Sequence, residues 1–149
     1  MTTTTAPTVN GRVIALAHYA SRGVLQTVLD RHGLSFLHSV TLRPVAAAGA
    51  PVAREALVAD VCRSLKSDAE EVEGAVGDLI AKGLVAEDGS GGLRMTGAGR
   101  ELYDRITAET GEVSARLYAG IPAADLAVAG RVLALVTERA DAELAAPAA

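Results

Sequence analysis

A mainly α fold with one short two-stranded β-hairpin is predicted by three observations. The chain is 50% hydrophobic but only 3% aromatic, so Ala, Val and Leu fill its core, and alanine is the strongest helix former. Apolar residues recur at helical spacing in stretches separated by Gly, Pro, Ser and Thr. A glycine-rich run, "EDGSGG" from Glu87 to Gly92, separates two short runs of β-type residues. At 149 residues the length corresponds to one domain, or to one domain with an oligomerisation extension.

The elements follow in order. Met1 to Asn10 is Thr-rich, with no basic start and no apolar segment, and reads as a flexible tail rather than a signal peptide. Asn10 is a good N-cap for a first helix that runs to about Arg31, with His32-Gly33 as the stop. Its stripe of Val13, Leu16, Ala17, Ala20, Val24, Leu25, Val28 and Leu29 is wide and long, which suits packing against another chain. Ser35 caps a second helix through Phe36, Val40, Leu42 and Val45 to Gly49, and Pro44 within it is expected to kink it or divide it in two. Pro51-Val52-Ala53 opens a third helix, Arg54 to Leu65.

Lys66-Ser67 is then a tight connection. Ser67 and Glu70 read as a capping box for the fourth helix, which closes at Gly83. Leu84-Val85 and Leu93-Arg94-Met95 are the two strands of the hairpin. Thr96 caps a fifth helix that reaches Tyr118, and Gly120-Ile121-Pro122 breaks the chain. A sixth helix, Asp125 to Leu144, carries Leu126, Val132, Leu133, Val136 and Ala140 on one stripe, and residues 146–149 form a second tail.

Short helices followed by a hairpin, flanked by long helices at both ends, make a winged helix-turn-helix with a helical dimerisation frame. The winged lobe spans 34–96 and the dimerisation helices span 11–33 and 97–145.

Composition narrows the function. A net charge of −4 does not announce a nucleic-acid partner, although local patches matter more than the total. The single cysteine, Cys62, excludes an internal disulfide and a multi-cysteine metal cluster. It reads as a small core residue, with a thiol sensor as the alternative. No apolar run reaches the ~20 residues of a membrane span, so no membrane partner and a cytoplasmic location are expected. There is no nucleophile elbow, P-loop, dinucleotide fingerprint or zinc-protease motif, and no cofactor or catalytic residue is assigned. His18, His32 and His38 lack paired spacing, so no metal site is assigned either.

"GLS" opens the second helix, "LIAKGLV" ends the fourth, and "LRMTGAGREL" leads from the wing into the fifth. On these motifs, and over nearly all of residues 12–145, the chain resembles the MarR family of bacterial regulators. "LIAKGLV" is similar to the family's Leu-Glu-x-x-Gly-Leu-Val/Ile, and Thr96, Gly99 and Leu102 fit its Leu-Thr-x-x-Gly-x-x-Leu. It implies a homodimer built from the first, fifth and sixth helices, with two winged lobes reaching adjacent major grooves of double-stranded DNA. It also implies a cleft between frame and lobe that senses a small aromatic or phenolic ligand, or a thiol oxidant.

The departure falls on the DNA-contacting surface. Where the family's recognition helix offers Ser, Thr and Arg, the matching positions are Glu70, Glu71, Glu73 and Gly74, and a later basic position is Asp78. The wing tip, usually Asp-Arg-Arg, is Asp88-Gly89-Ser90-Gly91-Gly92. Phosphate neutralisation supplies most non-specific DNA affinity, and carboxylates are repelled by both strands. Asp68, Glu70 and Glu71 suit the first helical turn, where the macrodipole favours acids by ~0.3–1 kcal/mol each. Glu73 and Asp78 read as a solvated face. The remaining bases that could anchor DNA are Arg54, Arg63, Lys66 and Arg94.

His18, Tyr19 and Arg22 share the first helix, with His18 and Arg22 one turn apart; His38 and Arg43 belong to the second. Set across the implied cleft, these five suit an anionic phenol or carboxylate, with arginine holding the acid in a fork. The plainer alternative is that the histidines are surface or half-buried helix residues. Two functions remain: a ligand-responsive regulator that binds DNA through an atypical surface, or a dimer that has kept the cleft, lost ordinary DNA binding, and acts as a small-molecule binder or enzyme.

Overall fold

A computed structural model describes residues 5–148. The order is α1 (Gly11–Asp30), α2 (Phe36–Ala47), β1 (Val52–Ala53), α3 (Arg54–Leu65), α4 (Ala69–Ala81), β2 (Val85–Glu87), β3 (Gly92–Met95), α5 (Gly97–Tyr118) and α6 (Ala123–Ala145). The mainly α, winged helix-turn-helix architecture is present as predicted. Residues 1–4 of the expected N-terminal tail, and Ala149, lie outside the described residues.

Local chemistry sets most boundaries. Asn10 Oδ1 accepts from the Val13 N–H at 3.0 Å to start α1. Gly33 takes a left-handed φ of 69°, and the Leu34 N–H returns to the Leu29 carbonyl to end it. The α2 capping box is unusual in its second half. Ser35 Oγ accepts from the His38 N–H, and His38 Nδ1 accepts from the Ser35 N–H, so an imidazole stands where Glu or Gln is usual.

Four expectations are corrected. Pro44 does not divide α2, which is continuous from Phe36 to Ala47. The missing N–H removes one bond to the Val40 carbonyl, but the helix ends three residues later, so little depends on it. Val52 and Ala53 do not merely open α3. They form β1, antiparallel to β3 with Val52 opposite Leu93 and Ala53 opposite Gly92, so the sheet has three strands in the order β1-β3-β2. Asp68, not Ser67, caps α4: its Oδ1 accepts from the Glu71 N–H at 2.9 Å, after a left-handed turn at Lys66 (φ 54°). Finally, α6 begins at Ala123 rather than Asp125, which places Asp125 within its first turn.

The chain divides into two compact units, one up to Val113 and one from Ser114. In the first, α2 packs against α1, α3, α4 and β3. Leu29, Leu42, Val61, Val72, Leu79 and Leu93 are fully buried between them. Thr96 joins wing to helix: its Oγ1 donates to the Gly83 carbonyl at 2.6 Å and accepts from the Gly99 N–H at 2.9 Å. In the second unit every described residue of α6 is exposed within the single chain, including Leu126, Val132, Leu133 and Val136.

One core position carries an unused polar atom. Thr41 is fully buried on α2, and its Oγ1 has no hydrogen-bond partner among the described residues. A desolvated, unpaired hydroxyl costs about 1–3 kcal/mol, and valine has nearly the same shape. Thr41→Val is therefore expected to stabilise the protein by about 1 kcal/mol in urea denaturation. An unchanged or lower midpoint would mean that the hydroxyl is satisfied in solution.

Candidate nucleic-acid interface and ligand cluster

The helix-turn-helix is α3, the left-handed turn at Lys66, and α4, followed directly by the wing of β2 and β3. The acids of α4 have partners that correct their reading as a solvated face. Glu73 Oε2 accepts from Arg54 Nε at 2.9 Å, and the same guanidinium donates through Nη1 to Glu87 Oε1 at 2.5 Å. One arginine at the start of α3 thus ties the recognition helix to the wing. The Glu73 hydrogen bond, ahead of the charge and Glu87 contributions, holds the Arg54 proton even more tightly than usual. The carboxylates are about half exposed, so each contact adds at most about 1 kcal/mol.

Asp78 is engaged as well. Its Oδ2 lies 3.0 Å from His38 Nε2. Because His38 Nδ1 accepts from the Ser35 N–H, the proton of the neutral ring sits on Nε2 and is donated to Asp78. This links the capped start of α2 to the recognition helix. Sequence reasoning missed both contacts because the partners are 19 and 40 positions apart. Of the acids in this helix, Glu70 and Glu71 are left as exposed first-turn residues and Asp68 as the cap.

The four bases assigned to DNA are distributed as follows. Arg54 holds Glu73 and Glu87. Arg63 pairs with Asp60 at 2.7 Å, both on the exposed surface of α3. Lys66 donates from Nζ to the Arg63 carbonyl at 2.6 Å, so these two bases stand together at the end of α3. Arg94 is exposed on β3, opposite Ala86. The wing tip is self-satisfied: Asp88 Oδ1 accepts from the Ser90 hydroxyl at 2.8 Å, the Gly92 N–H at 2.7 Å and the Ser90 N–H at 3.0 Å. These donors, the Ser90 hydroxyl first, hold the Asp88 carboxyl below the usual carboxylate range.

The five residues assigned to a ligand do not all converge. His18, Tyr19 and Arg22 gather on α1 around Phe36 of α2. The His18 ring is 5.9 Å from Tyr19 and 6.4 Å from Phe36, and the Arg22 guanidinium lies 4.3 Å over the Phe36 ring. His38 is turned to Asp78, and Arg43 is an exposed residue of α2. Phe36, the only phenylalanine, was not assigned; its place directly after the Ser35 cap was the available signal. The cluster is open, with Tyr19 66% exposed.

His32 is occupied differently, 3.1 Å from Glu109 Oε2 on α5. Among the described residues no group of three or more His, Cys, Asp or Glu side chains is placed to hold a metal ion. Cys62 is half-buried against the core. A further cavity, of about 220 Å³, lies at the base of the wing and includes Arg94 together with Arg100 of α5, a residue that sequence reasoning did not single out.

The sequence model of a helix-turn-helix family matches residues 26–147. The chain belongs to this helix-turn-helix family. No curated protein matches the chain with significance. Among solved structures, a transcriptional regulator of the MarR family from Rhodococcus sp. RHA1 is 22% identical, with a TM-score of 0.71 over 83% of this chain and 89% of that one. CouR from Rhodococcus jostii RHA1, solved bound to p-coumaroyl-CoA, is 21% identical, with a TM-score of 0.71 over 83% and 87%. A MarR-family protein of Mycobacterium tuberculosis, solved in complex with DNA, is 20% identical, with a TM-score of 0.67 over 87% and 98%. At these identities the likeness establishes the fold, which is that of the MarR regulators. No single helix among the described residues is long and apolar enough to cross a membrane.

Proposed function

We propose that this protein is a cytoplasmic, homodimeric transcriptional regulator that binds double-stranded DNA through its winged helix and responds to a small molecule. The observation that carries the reading is the complete helix-turn-helix with its wing, in which Arg54 clamps α4 to β2 through Glu73 and Glu87. Likeness in fold to a protein solved on DNA and to one solved with an acyl-CoA supports it. In this reading Arg63, Lys66 and Arg94 meet phosphate, while Arg54 positions the recognition helix. The ligand group is His18, Tyr19, Arg22 and Phe36, with Arg43 and His38 on the neighbouring helix. A second copy covers the apolar residues of α6, and the dimerisation helices are those of 11–33 and 97–145.

The acid that the wild-type surface presents makes the test specific. A fluorescence titration against the duplex upstream of the protein's own gene, repeated across salt, is expected to give submicromolar, salt-dependent binding. Arg94→Ala is expected to weaken binding to every sequence and to flatten the salt slope by about one unit. Glu71→Gln is expected to strengthen non-specific binding, because it removes a repulsive charge without touching the Arg54 or His38 contacts. If no duplex binds below micromolar concentration and neither variant changes that, the acidic α4 favours the second reading: a MarR-fold dimer that binds a small molecule without DNA.

A further inference from the structure

We propose that Glu70 is the residue with which α4 reads DNA sequence, and that it selects a cytosine in the major groove. This rests on the reading of the chain as a DNA-binding regulator, and it names the base that its recognition helix requires.

The outward side of α4 is bare except at Glu70. The helix buries Val72, Ala75, Val76 and Leu79 against the lobe. On the opposite side, at spacings of four, three and four residues, stand Glu70, Gly74, Gly77 and Ala81, all exposed. Of these only Glu70 has a side chain longer than a methyl group, and it lies in the first turn. In a helix-turn-helix the residues at the start of the recognition helix are the ones that reach base edges. The two glycines do no packing inside the lobe: among the described residues, nothing beyond its own turn of helix lies within 4 Å of a Cβ at either. Glycine within a helix costs stability. A groove that comes close to the helix backbone accounts for it, and leaves Glu70 as the side chain that reaches in.

The other acids of α4 are engaged or stand aside. Asp68 caps the helix, Glu73 is held by Arg54, and Asp78 by His38. Glu71 lies on the shoulder of the helix, on the same edge as Asp78 seven residues later. The Glu70 carboxylate has no hydrogen bond or ion pair among the described residues, so it can accept from a base.

A carboxylate accepts hydrogen bonds and donates none. In the major groove guanine presents N7 and O6, and thymine presents O4, all acceptors that repel it. The N6 donor of adenine stands beside its N7 acceptor, whereas cytosine presents the N4 amino group alone. Cytosine is therefore the base whose groove edge suits Glu70. Repulsion from the phosphates is the same for every sequence, so this carboxylate lowers affinity in general and sharpens discrimination.

The experiment selects duplexes from a randomised pool with the full-length protein, then titrates the selected duplex and its single-pair variants. The selected duplexes are expected to carry a cytosine at one fixed position, and any other base pair there is expected to lower affinity by about tenfold. Glu70→Ala is expected to bring all four base pairs within about twofold of one another, and to bind the mismatched duplexes more tightly than the parent does. Glu70→Gln, whose amide donates as well as accepts, is expected to favour adenine at that position, and it serves if thermal melting shows Glu70→Ala to be unfolded. Glu71→Gln is the comparison, expected to strengthen binding to every duplex and to keep the preference for cytosine. A purely structural Glu70 would alter stability and all affinities together and leave the preference intact. No selected cytosine, or folded Glu70 variants that keep the preference, would overturn the role of Glu70 and leave the regulator reading standing. Loss of the preference in Glu71→Gln as in Glu70→Ala would overturn the assignment to Glu70. If no duplex is selected, the regulator reading falls and the role of Glu70 with it.

Discussion

Gly99→Ala is expected to be the most destabilising single substitution in the winged lobe, by about 3 kcal/mol or more. A Cβ at Gly99 would stand 2.0 Å from the Leu84 carbonyl oxygen, 2.8 Å from Met95 Sδ and 2.9 Å from the Leu84 carbonyl carbon. Met95 could move aside, but the Leu84 backbone cannot do so freely. The same carbonyl accepts from the Thr96 N–H at 3.1 Å, so it is held in place by the residue that caps α5. Relief requires α5 to lift from the root of the wing, which would break the Thr96 contacts and open the core at Ile106 and Leu93. A fall of roughly 10 °C in the thermal midpoint is expected. Gly97→Ala is the control: among the described residues, nothing beyond its own turn of helix lies within 4 Å of a Cβ there, and the change is expected to be neutral or slightly stabilising. If both variants melted like the parent, α5 would not approach Leu84 so closely in solution.

The second large effect is on assembly. Replacing Leu133 and Val136 by Glu together is expected to convert a dimer into a monomer at micromolar concentration, as measured by light scattering. In the single chain Leu133 is 41% and Val136 43% exposed, with Leu126 and Val132 beside them on the helix at 37% and 38%. Apolar surface left in water costs about 25 cal/mol per Å², so a helix with this stripe gains by meeting another copy. Two carboxylates in such an interface would be desolvated without partners. The double variant remaining dimeric would place the interface elsewhere, and a monomeric parent would remove the dimer from the proposed function.

The two variants divide the molecule by how its parts can be read. Gly99 belongs to a motif, Thr96-x-x-Gly99, whose presence is plain in the chain, yet its reason is a carbonyl fifteen positions earlier that the chain brings against it. The α6 stripe, in contrast, needs no fold to be seen. Its periodicity alone shows an apolar face, and in the single chain that face is exposed.

The acidic recognition helix shows the same division more sharply. Glu70 and Glu71 were readable as first-turn acids from position alone, since the macrodipole is a property of the helix itself. Glu73 and Asp78 were not. Their partners, Arg54 and His38, arrive from α3 and α2, and the contacts exist only because those helices pack on α4. A count of charges therefore made this surface look freer of intramolecular purpose than it is.

What the sequence by itself determined was whatever depends on neighbours within a turn or two. That covers the six helices, the caps at Asn10, Ser35 and Thr96, the glycine stops at Gly33 and Gly83, and the hairpin; together these identify the winged helix-turn-helix. Only the tertiary structure decided the rest. The two-residue strand β1 is too short to show a period and exists through its pairing with β3. The choice of Asp68 over Ser67 as the α4 cap followed from the left-handed turn at Lys66. The gathering of His18, Tyr19 and Arg22 on Phe36, and of Arg94 and Arg100 on one cavity, joins residues from different elements. The physical reason is range: hydrogen bonds and dipoles within a helix act between residues that are close in the chain, whereas ion pairs, ring contacts and cavities act between residues that only packing brings together.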